Sequence, residues 1–566
     1  MSDTNKYNMS PKHSLDFDLS ESRDVNVEAT EVDLEQEAPG DDVTADMIEA
    51  DMQTPESWLT YNKGPEQAGY SPADRLNPET VDTLSHEYTI SEYERWQTQP
   101  IVVPGDPPVM YFTHALPQRV QAVNGRTGET YWTFTYQNEN MVGQTGANRG
   151  AAVYGDKIYL AAYDNNLVAI DRYTGEMQWK TRTLSPRQLN EMTRPDRMGH
   201  TSAPVVFDGI VMKGMAGVYG GWGAISALDA ETGDILWQHD VVPKRGWVGE
   251  TWRYGDSSPW NNASIDPESR QVFFPTGNPG AIYAPYARPG PNRHSNSVIA
   301  VDIDSGEIQW TTQFIPHDWS DYDTYNTRVM DIEVGGETRR VVQAANKTGW
   351  LYFMDAETGK LIERTKPYAQ QGGEIPFLGW MPHGEANKAS MYPSDRGATE
   401  WTPDSYSPDT GYVHVSANDH GRLYYWEQWD YSADPPQVDT GNPPAYGEKI
   451  EDLSDQPDIQ SRLVAIDPST GEEVWRHEYE VSESDSGYAR AGGSTATGGN
   501  LVFGGSSNGN LVAVNAQTGD LLWEDSVTDI HRGITAAPLT WDDPGAGKQY
   551  VAIASQDGIA VYSGGA

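Results

Sequence analysis

The amino-acid sequence predicts an all-β protein closed into an eight-bladed β-propeller. Two observations carry this. A short motif, A-x-D/N-x-x-T/S-G-x-x-x-W, recurs along the chain. Around it, strand-like runs bounded by Gly, Asn, Asp and Pro continue from Trp58 onward, while long helical periodicity is scarce. The length of 566 residues would ordinarily suggest several domains, but a repeat architecture can use it as one unit.

Each part of the motif has a physical role. The A-x-D portion is an apolar strand whose Asp or Asn can bond the amides of the turn that follows, and Gly supplies the positive φ. The next strand starts at once and carries a Trp. A four-stranded blade cannot bury both faces alone, so the Trp packs into the joint with a neighbouring blade. Closing the ring removes long exposed sheet edges. Copies end at Trp132, Trp179, Trp237, Trp310, Trp475 and Trp523, and a seventh keeps the turn but has Glu363 in place of Trp. The turn glycines fall at 128, 175, 233, 306, 359, 471 and 519, so the intervals are 47, 58, 73, 53, 112 and 48 residues. The interval of 112 is about twice the others and predicts one hidden, degenerate repeat, which makes eight.

Residues 1–55 contain 15 acidic and 3 basic residues with scattered apolar ones. That composition predicts a disordered acidic tail, because too little apolar surface is available to offset ordering entropy. The propeller is expected over 56–566, with short helices at 77–84 and 186–192. No cysteine is present, which excludes disulfides, thiolate metal sites, cysteine nucleophiles and c-type haem attachment.

The chain holds 83 acidic and 39 basic residues, for a net charge of −44. A surface this negative repels nucleic acid and anionic lipid, and both are set aside as partners. The excess is spread along the chain, which points to a halophilic, acidic protein kept hydrated by dense carboxylates, rather than to a substrate-steering face. No apolar stretch is long enough for a transmembrane helix, and the first 18 residues show neither a secretion signal nor a twin-arginine pair.

The repeat resembles the tryptophan-docking motif of the quinoprotein alcohol dehydrogenases, which bind pyrroloquinoline quinone (PQQ) on the propeller axis. The resemblance extends from Trp58 nearly to the C-terminus. It is carried in order by SWLTYNKGPEQAGYSPADRLNPETVDTL, by NRGAAVYGDKIYLAAYDNNLVAIDRYTG at 148–175, by FFPTGNPG at 273–280 and by PHDWSDYD at 316–323. ANKTGWLYFMD at 345–355 and GGNLVFGGSSNGNLVAVNAQTG at 498–519 complete it.

The resemblance implies roles for individual residues. Asp321, the first Asp of the DYD, matches the catalytic carboxylate, a base near the substrate hydroxyl. Without the family it would read as an Asp closing a turn. Asn278, in a T-G-N-P segment that is otherwise an ordinary turn, matches a metal-ligand Asn for Ca²⁺. Trp260 lies outside the docking repeat and matches the Trp on which the quinone stacks. Trp401 is placed with the quinone-binding residues. Arg149 and Lys347 match cations that contact quinone carboxylates and carbonyls, though each could be a surface charge. Asp323 stands two residues after Asp321, on the same side if the segment is extended, and could face the same cation. An acidic residue here also occurs in lanthanide-dependent members, so Ca²⁺ is favoured and a lanthanide stays open. Alternatively Asp323 caps a turn.

Three positions depart from the family pattern. Gly143-Gln144 replaces its paired cysteines, Glu400 precedes Trp401 where Asn is usual, and Val218 or Tyr219 falls where a metal-ligand Glu is expected. Two functions follow from the sequence. One is a PQQ- and metal-dependent dehydrogenase that oxidises an alcohol or polyol to a carbonyl and passes electrons to an external acceptor. The other is a cofactor-free propeller serving as a binding or assembly scaffold. Family members usually work outside the cytoplasmic membrane, whereas the sequence as given would place the chain in the cytoplasm.

Overall fold

The computed structural model describes residues 30–565 except 92–96, 116, 137–146, 186–187, 189–197, 218–220, 281, 283–284, 286–287, 374–387, 428–446, 453–460, 480–490 and 530–532. The repeat folds as a self-contained corner. Asp171 Oδ1 accepts from the amides of Tyr173 and Thr174 at 2.9 and 2.8 Å, and Gly175 closes the turn on Asp171 O at φ +77°. A Cβ on Gly175 would stand 2.8 Å from the Trp132 ring, so glycine is required for space as well as for φ. Trp132 comes from the outer strand of the preceding blade and donates from Nε1 to Arg172 O at 3.0 Å. The same joint recurs where Trp179, Trp237, Trp310 and Trp475 donate to Ala230 O, Ile303 O, Ala356 O and Ala516 O at 3.2, 2.8, 3.0 and 3.0 Å. Where Glu363 replaces Trp, the main chain makes the joint, Lys366 N donating to Gly471 O at 2.9 Å.

Seven blades occupy residues 101–136, 152–182, 205–240, 264–313, 324–364, 405–478 and 494–526. Each shares a buried apolar cluster with its neighbour, and an eighth blade shares one with the seventh and one with the first. The ring therefore closes at eight. The eighth blade is not where the repeat spacing placed it. It consists of Leu539–Asp543, Lys548–Ser555 and Gly558–Gly564, completed by Ser85–Ile90 from the other end of the chain, paired antiparallel with Gly558–Gly564. Tyr88 on this closing strand takes the place of the docking Trp. Its ring packs on Gly128 and its hydroxyl donates to Gly125 O at 2.8 Å. Tyr88→Phe keeps the ring and removes that bond, so denaturant unfolding should show a loss of about 1 kcal/mol. An unchanged midpoint would show that the hydroxyl contributes nothing to closure.

The long interval instead holds an additional four-stranded sheet, Gly372–Gly373, Ala389–Tyr392, Arg422–Glu427 and Gly447–Asp452, interleaved in sequence with the sixth blade. It has its own cluster of Ile315, Tyr322, Ala389, Met391 and Tyr424.

The expected disordered tail over 1–55 is corrected over its second half, while residues 1–29 lie outside the described residues. Thr30–Leu34 adds a fifth strand to the first blade by pairing with Thr130–Tyr136. Ala38, Val43 and Ile48 are buried in the cluster shared by the first two blades. Buried Arg172 holds the carbonyls of Pro39 and Asp41. Ala38, Val43 and Ile48, with Val32 and Met47 packed beside them, thus face one cluster, which a composition average does not register. Of the expected helices, only a 3₁₀ turn at Val81–Thr83 forms within 77–84, and 186–192 lies, apart from Gln188, outside the described residues.

Residues 55–71 then run across the axis. They bond the first strands of six blades, through Pro55 O to Asp542 N, Trp58 to Val102, Pro65 O to Ile265 N, Glu66 O to Val329 N, Ala68 O to Tyr406 N and Gly69 O to Ala496 N. This segment forms the floor under the site described next.

Candidate active site

Successive first strands of the blades run in the same sense, so the segments entering them converge at one end of the axis. Arg149, Trp260, Asp321, Asp323, Glu400 and Trp401 lie on such segments, and Asn278 and Lys347 on the turns between second and third strands at that same end. Residues spread over 253 positions, from 149 to 401 inclusive, are brought together by ring closure.

Two groups form. In the first, one terminal atom of the Asn278 amide stands 2.8 Å from Asp323 Oδ1 and 3.2 Å from Asp321 Oδ1. Turned nitrogen-inward, the amide donates to both carboxylates; turned oxygen-inward, it joins them as a third oxygen toward a shared ion. Asn278 N also donates to Asp323 Oδ1 at 2.6 Å. Lys347 Nζ lies 3.0 Å from Asp321 Oδ2 and 3.8 Å from Asp323 Oδ2. The Asp321 side chain is 23% exposed and that of Asp323 7%, so Asp321 is the carboxylate that an incoming small molecule can reach. Tyr322, between them, points the opposite way into the additional sheet, its hydroxyl donating to Pro393 O at 2.6 Å. The alternation expected of an extended segment therefore holds here, and the additional sheet anchors it.

Burial pushes both Asp321 and Asp323 above the usual carboxylate range, and Lys347 opposes the rise in each. Burial alone would lower the Lys347 ammonium, but Asp321, Glu400 and Asp323 outweigh it and hold the lysine above its ordinary value. Glu400 joins through Tyr325, whose hydroxyl stands 3.1 Å from Glu400 Oε2 and 3.4 Å from Asp323 Oδ2. Three carboxylates and one ammonium sum to a formal −2 (−3 + 1), a surplus that suits a hard cation.

The second group is aromatic. The Arg149 guanidinium lies 5.0 Å from the Trp260 ring centre and 4.8 Å from that of Trp401, with NH1 donating to Thr201 O at 3.1 Å. Trp260 and Trp401 meet at 64° with centroids 6.3 Å apart, and Tyr325 sets its edge on Trp260 at 5.4 Å. All seven residues singled out from the sequence are thus in one place. Tyr325, which joins the two groups, was missed, yet the i, i+2 spacing that paired Asp321 with Asp323 reaches it next.

The positions of the departures differ in what they allow. Gly143-Gln144 and Val218/Tyr219 lie outside the described residues. Among the described residues, no three acidic or histidine side chains converge closely enough to ligate one ion. The residues that could hold a cation are then Asn278, Asp321 and Asp323. All are hard oxygen donors that fit Ca²⁺ or a larger ion given further oxygens from a quinone. An aromatic face flanked by Arg149 and Lys347 fits a planar polyanion.

A propeller that gathers hard oxygen donors, buried cations and an aromatic face at one end of its axis defines a cofactor-dependent oxidoreductase site. Residues 58–377 match the family model described as glucose/ethanol/alcohol dehydrogenase, beta-propeller domain, and residues 409–563 match that of outer membrane protein assembly factor BamB. The chain is 31% identical over 92% of its length to quinoprotein alcohol dehydrogenase PedH of Pseudomonas putida, covering 89% of that protein. It is 31% identical over 90% of its length to the quinohemoprotein alcohol dehydrogenase of Comamonas testosteroni, covering 74% of it. The crystal structure of the Comamonas testosteroni enzyme superposes with a TM-score of 0.77 at 27% identity, covering 92% of this chain and 82% of that one. A europium-containing methanol dehydrogenase shares the fold, with a TM-score of 0.75 at 22% identity over 92% of this chain and 100% of that one. The chain belongs to the PQQ-dependent quinoprotein alcohol dehydrogenase family and is an oxidoreductase.

Proposed function

We propose that the protein oxidises an alcohol or polyol to the carbonyl compound with PQQ and a hard cation, and passes the electrons to an external acceptor. The observation that carries this is the grouping of Asn278, Asp321, Asp323 and Lys347 beside the Arg149–Trp260–Trp401 frame. Trp260 would stack on the quinone plane, with Trp401 beside it and Arg149 and Lys347 bonding its oxygens. Asn278, Asp321 and Asp323 would hold the cation. When bound, PQQ supplies the two-electron acceptor for the hydride that leaves the alcohol carbon, and the cation polarises its carbonyl.

The chain's own residues do the rest. Asp321 accepts the hydroxyl proton at a carboxylate oxygen; its raised proton affinity makes it a better base, and the Lys347 ammonium 3.0 Å away opposes that rise. Residues 55–71 close the floor and leave approach from the other end. Ca²⁺ is the favoured ion, since two carboxylates and an amide offer an ordinary calcium charge, with a lanthanide as the alternative. An extracytoplasmic location follows from the family's habit, and a high-salt setting from the net charge of −44.

Reconstitution tests this reading. Purified protein given PQQ with Ca²⁺ or La³⁺ should acquire the bound-quinone absorbance and reduce an artificial dye in the presence of alcohol. Asp323→Ala should lose the cation-dependent part of quinone binding. If neither ion supports quinone binding in the wild type, the scaffold reading takes its place.

A further inference from the structure

Behind the aromatic frame lies a second buried cation. Lys213, on the second strand of the third blade (Ile210–Gly214), is 3% exposed. Its Nζ donates to Ser202 Oγ at 2.6 Å and Gly214 O at 2.5 Å, and it forms no ion pair with a described residue. An ammonium held in the interior without a counter-charge is costly, and such lysines are rarely retained for stability. The cost shows in its proton affinity. Burial, and then the neighbouring Arg149 charge, lower Lys213 to about 7. His200, also buried, stands with its Nε2 2.9 Å from Thr183 Oγ1 and is kept neutral by burial and by Lys213.

The placement ties this charge to Arg149. Thr201 O receives the Arg149 guanidinium, and the next residue, Ser202, receives Lys213. Thr201 Oγ1 in turn donates to Trp260 O at 3.4 Å. Gly214 presses on the residue before Trp260, since a Cβ there would stand 2.2 Å from Pro259 O. Adjacent residues of the segment entering the third blade thus hold two cations, Arg149, which lies on the Trp260 and Trp401 rings, and Lys213, whose charge acts on it from the next residue along.

We propose that Lys213 is a cofactor-positioning residue, the second cation, beside Arg149, for a carboxylate of the quinone. The inference rests on the quinone reading above. Because the free lysine is half-neutral near neutral pH, the arriving carboxylate draws a proton onto it from solvent. In the protein without quinone, Lys213 is charged below about pH 7 and its burial then opposes folding. This penalty is complete below pH 7 and disappears as pH rises from there toward the unfolded value of 10.5. Lys213→Met removes it.

The test is PQQ titration in saturating Ca²⁺, followed by tryptophan fluorescence and by calorimetry in two buffers of different ionisation heat, from pH 6 to 9. Wild type should take up close to one proton above pH 7 and lose affinity by about tenfold per pH unit there. Lys213→Met should bind at least tenfold more weakly at pH 6 with that pH dependence abolished, while its quinone-free form melts higher than wild type. Lys213→Arg should retain tight binding with a flat profile. Equal affinity and equal pH dependence in wild type and Lys213→Met, with quinone bound in both, would overturn this inference alone. No quinone binding by wild type at any pH would overturn the quinone reading and this inference with it.

Discussion

Asp321→Asn is expected to lower kcat for alcohol oxidation by about 10²–10⁴-fold, the usual contribution of a positioned general base. The amide is nearly isosteric but cannot take the hydroxyl proton. The fold should survive, because Lys347 keeps Asp323 at 3.8 Å and faces Glu400 as well. Dye-linked steady-state assays of the quinone-loaded protein measure kcat, with circular dichroism as the check on folding. A kcat within tenfold of wild type would remove Asp321 from the proton transfer. Lys347→Met should act in the same direction but through Asp321, by letting burial raise that carboxylate further and so shifting the pH profile of kcat upward.

Asp51→Ala should destabilise the protein by about 3–5 kcal/mol, the usual consequence of leaving a buried charge unpaired. Asp51 is fully buried, and its carboxylate accepts from Ser57 Oγ at 2.6 Å, Leu59 N at 3.0 Å, Gly64 N at 3.1 Å and Lys63 Nζ at 3.3 Å. The Lys63 side chain is itself fully buried, and burial lowers its proton affinity against the pull of Asp51. Without Asp51 the ammonium loses its counter-charge, keeping only the carbonyls of Thr54 and Ser57, and two amides lose their acceptor. The floor segment that they brace, which reaches Gly150 beside Arg149 through Tyr61, would loosen. Urea unfolding in molar salt measures the loss, and Asp51→Ala with Lys63→Met should recover much of it. A neutral single variant would return this segment to the status of a dispensable tail.

The Asp51 case shows where sequence reading stops. Residues 1–55 are acidic on average, and average composition predicts disorder. What decides the outcome is that Asp51 turns inward onto Lys63 while Ala38, Val43 and Ile48 fall on the first two blades. That depends on surfaces assembled from residues a hundred positions away. Similarly, Glu400 looked like an isolated departure until Tyr325 bridged it to Asp323.

The blade corner and, through several motifs in order, the family were legible in the sequence; the count of eight was reached through an interval that holds a different sheet, and the candidate site residues were named through the resemblance. The corner is legible because it is local: an Asp bonds amides two and three residues ahead, a Gly turns the chain, and a Trp follows at fixed spacing. Where the eighth blade lies, what fills the long interval and how the N-terminal segment braces the axis depend on tertiary contacts. Ring closure pairs Ser85 with Ser563, and the additional sheet interleaves with the sixth blade. Such contacts join segments hundreds of residues apart, and no local periodicity encodes which distant edge a strand will meet.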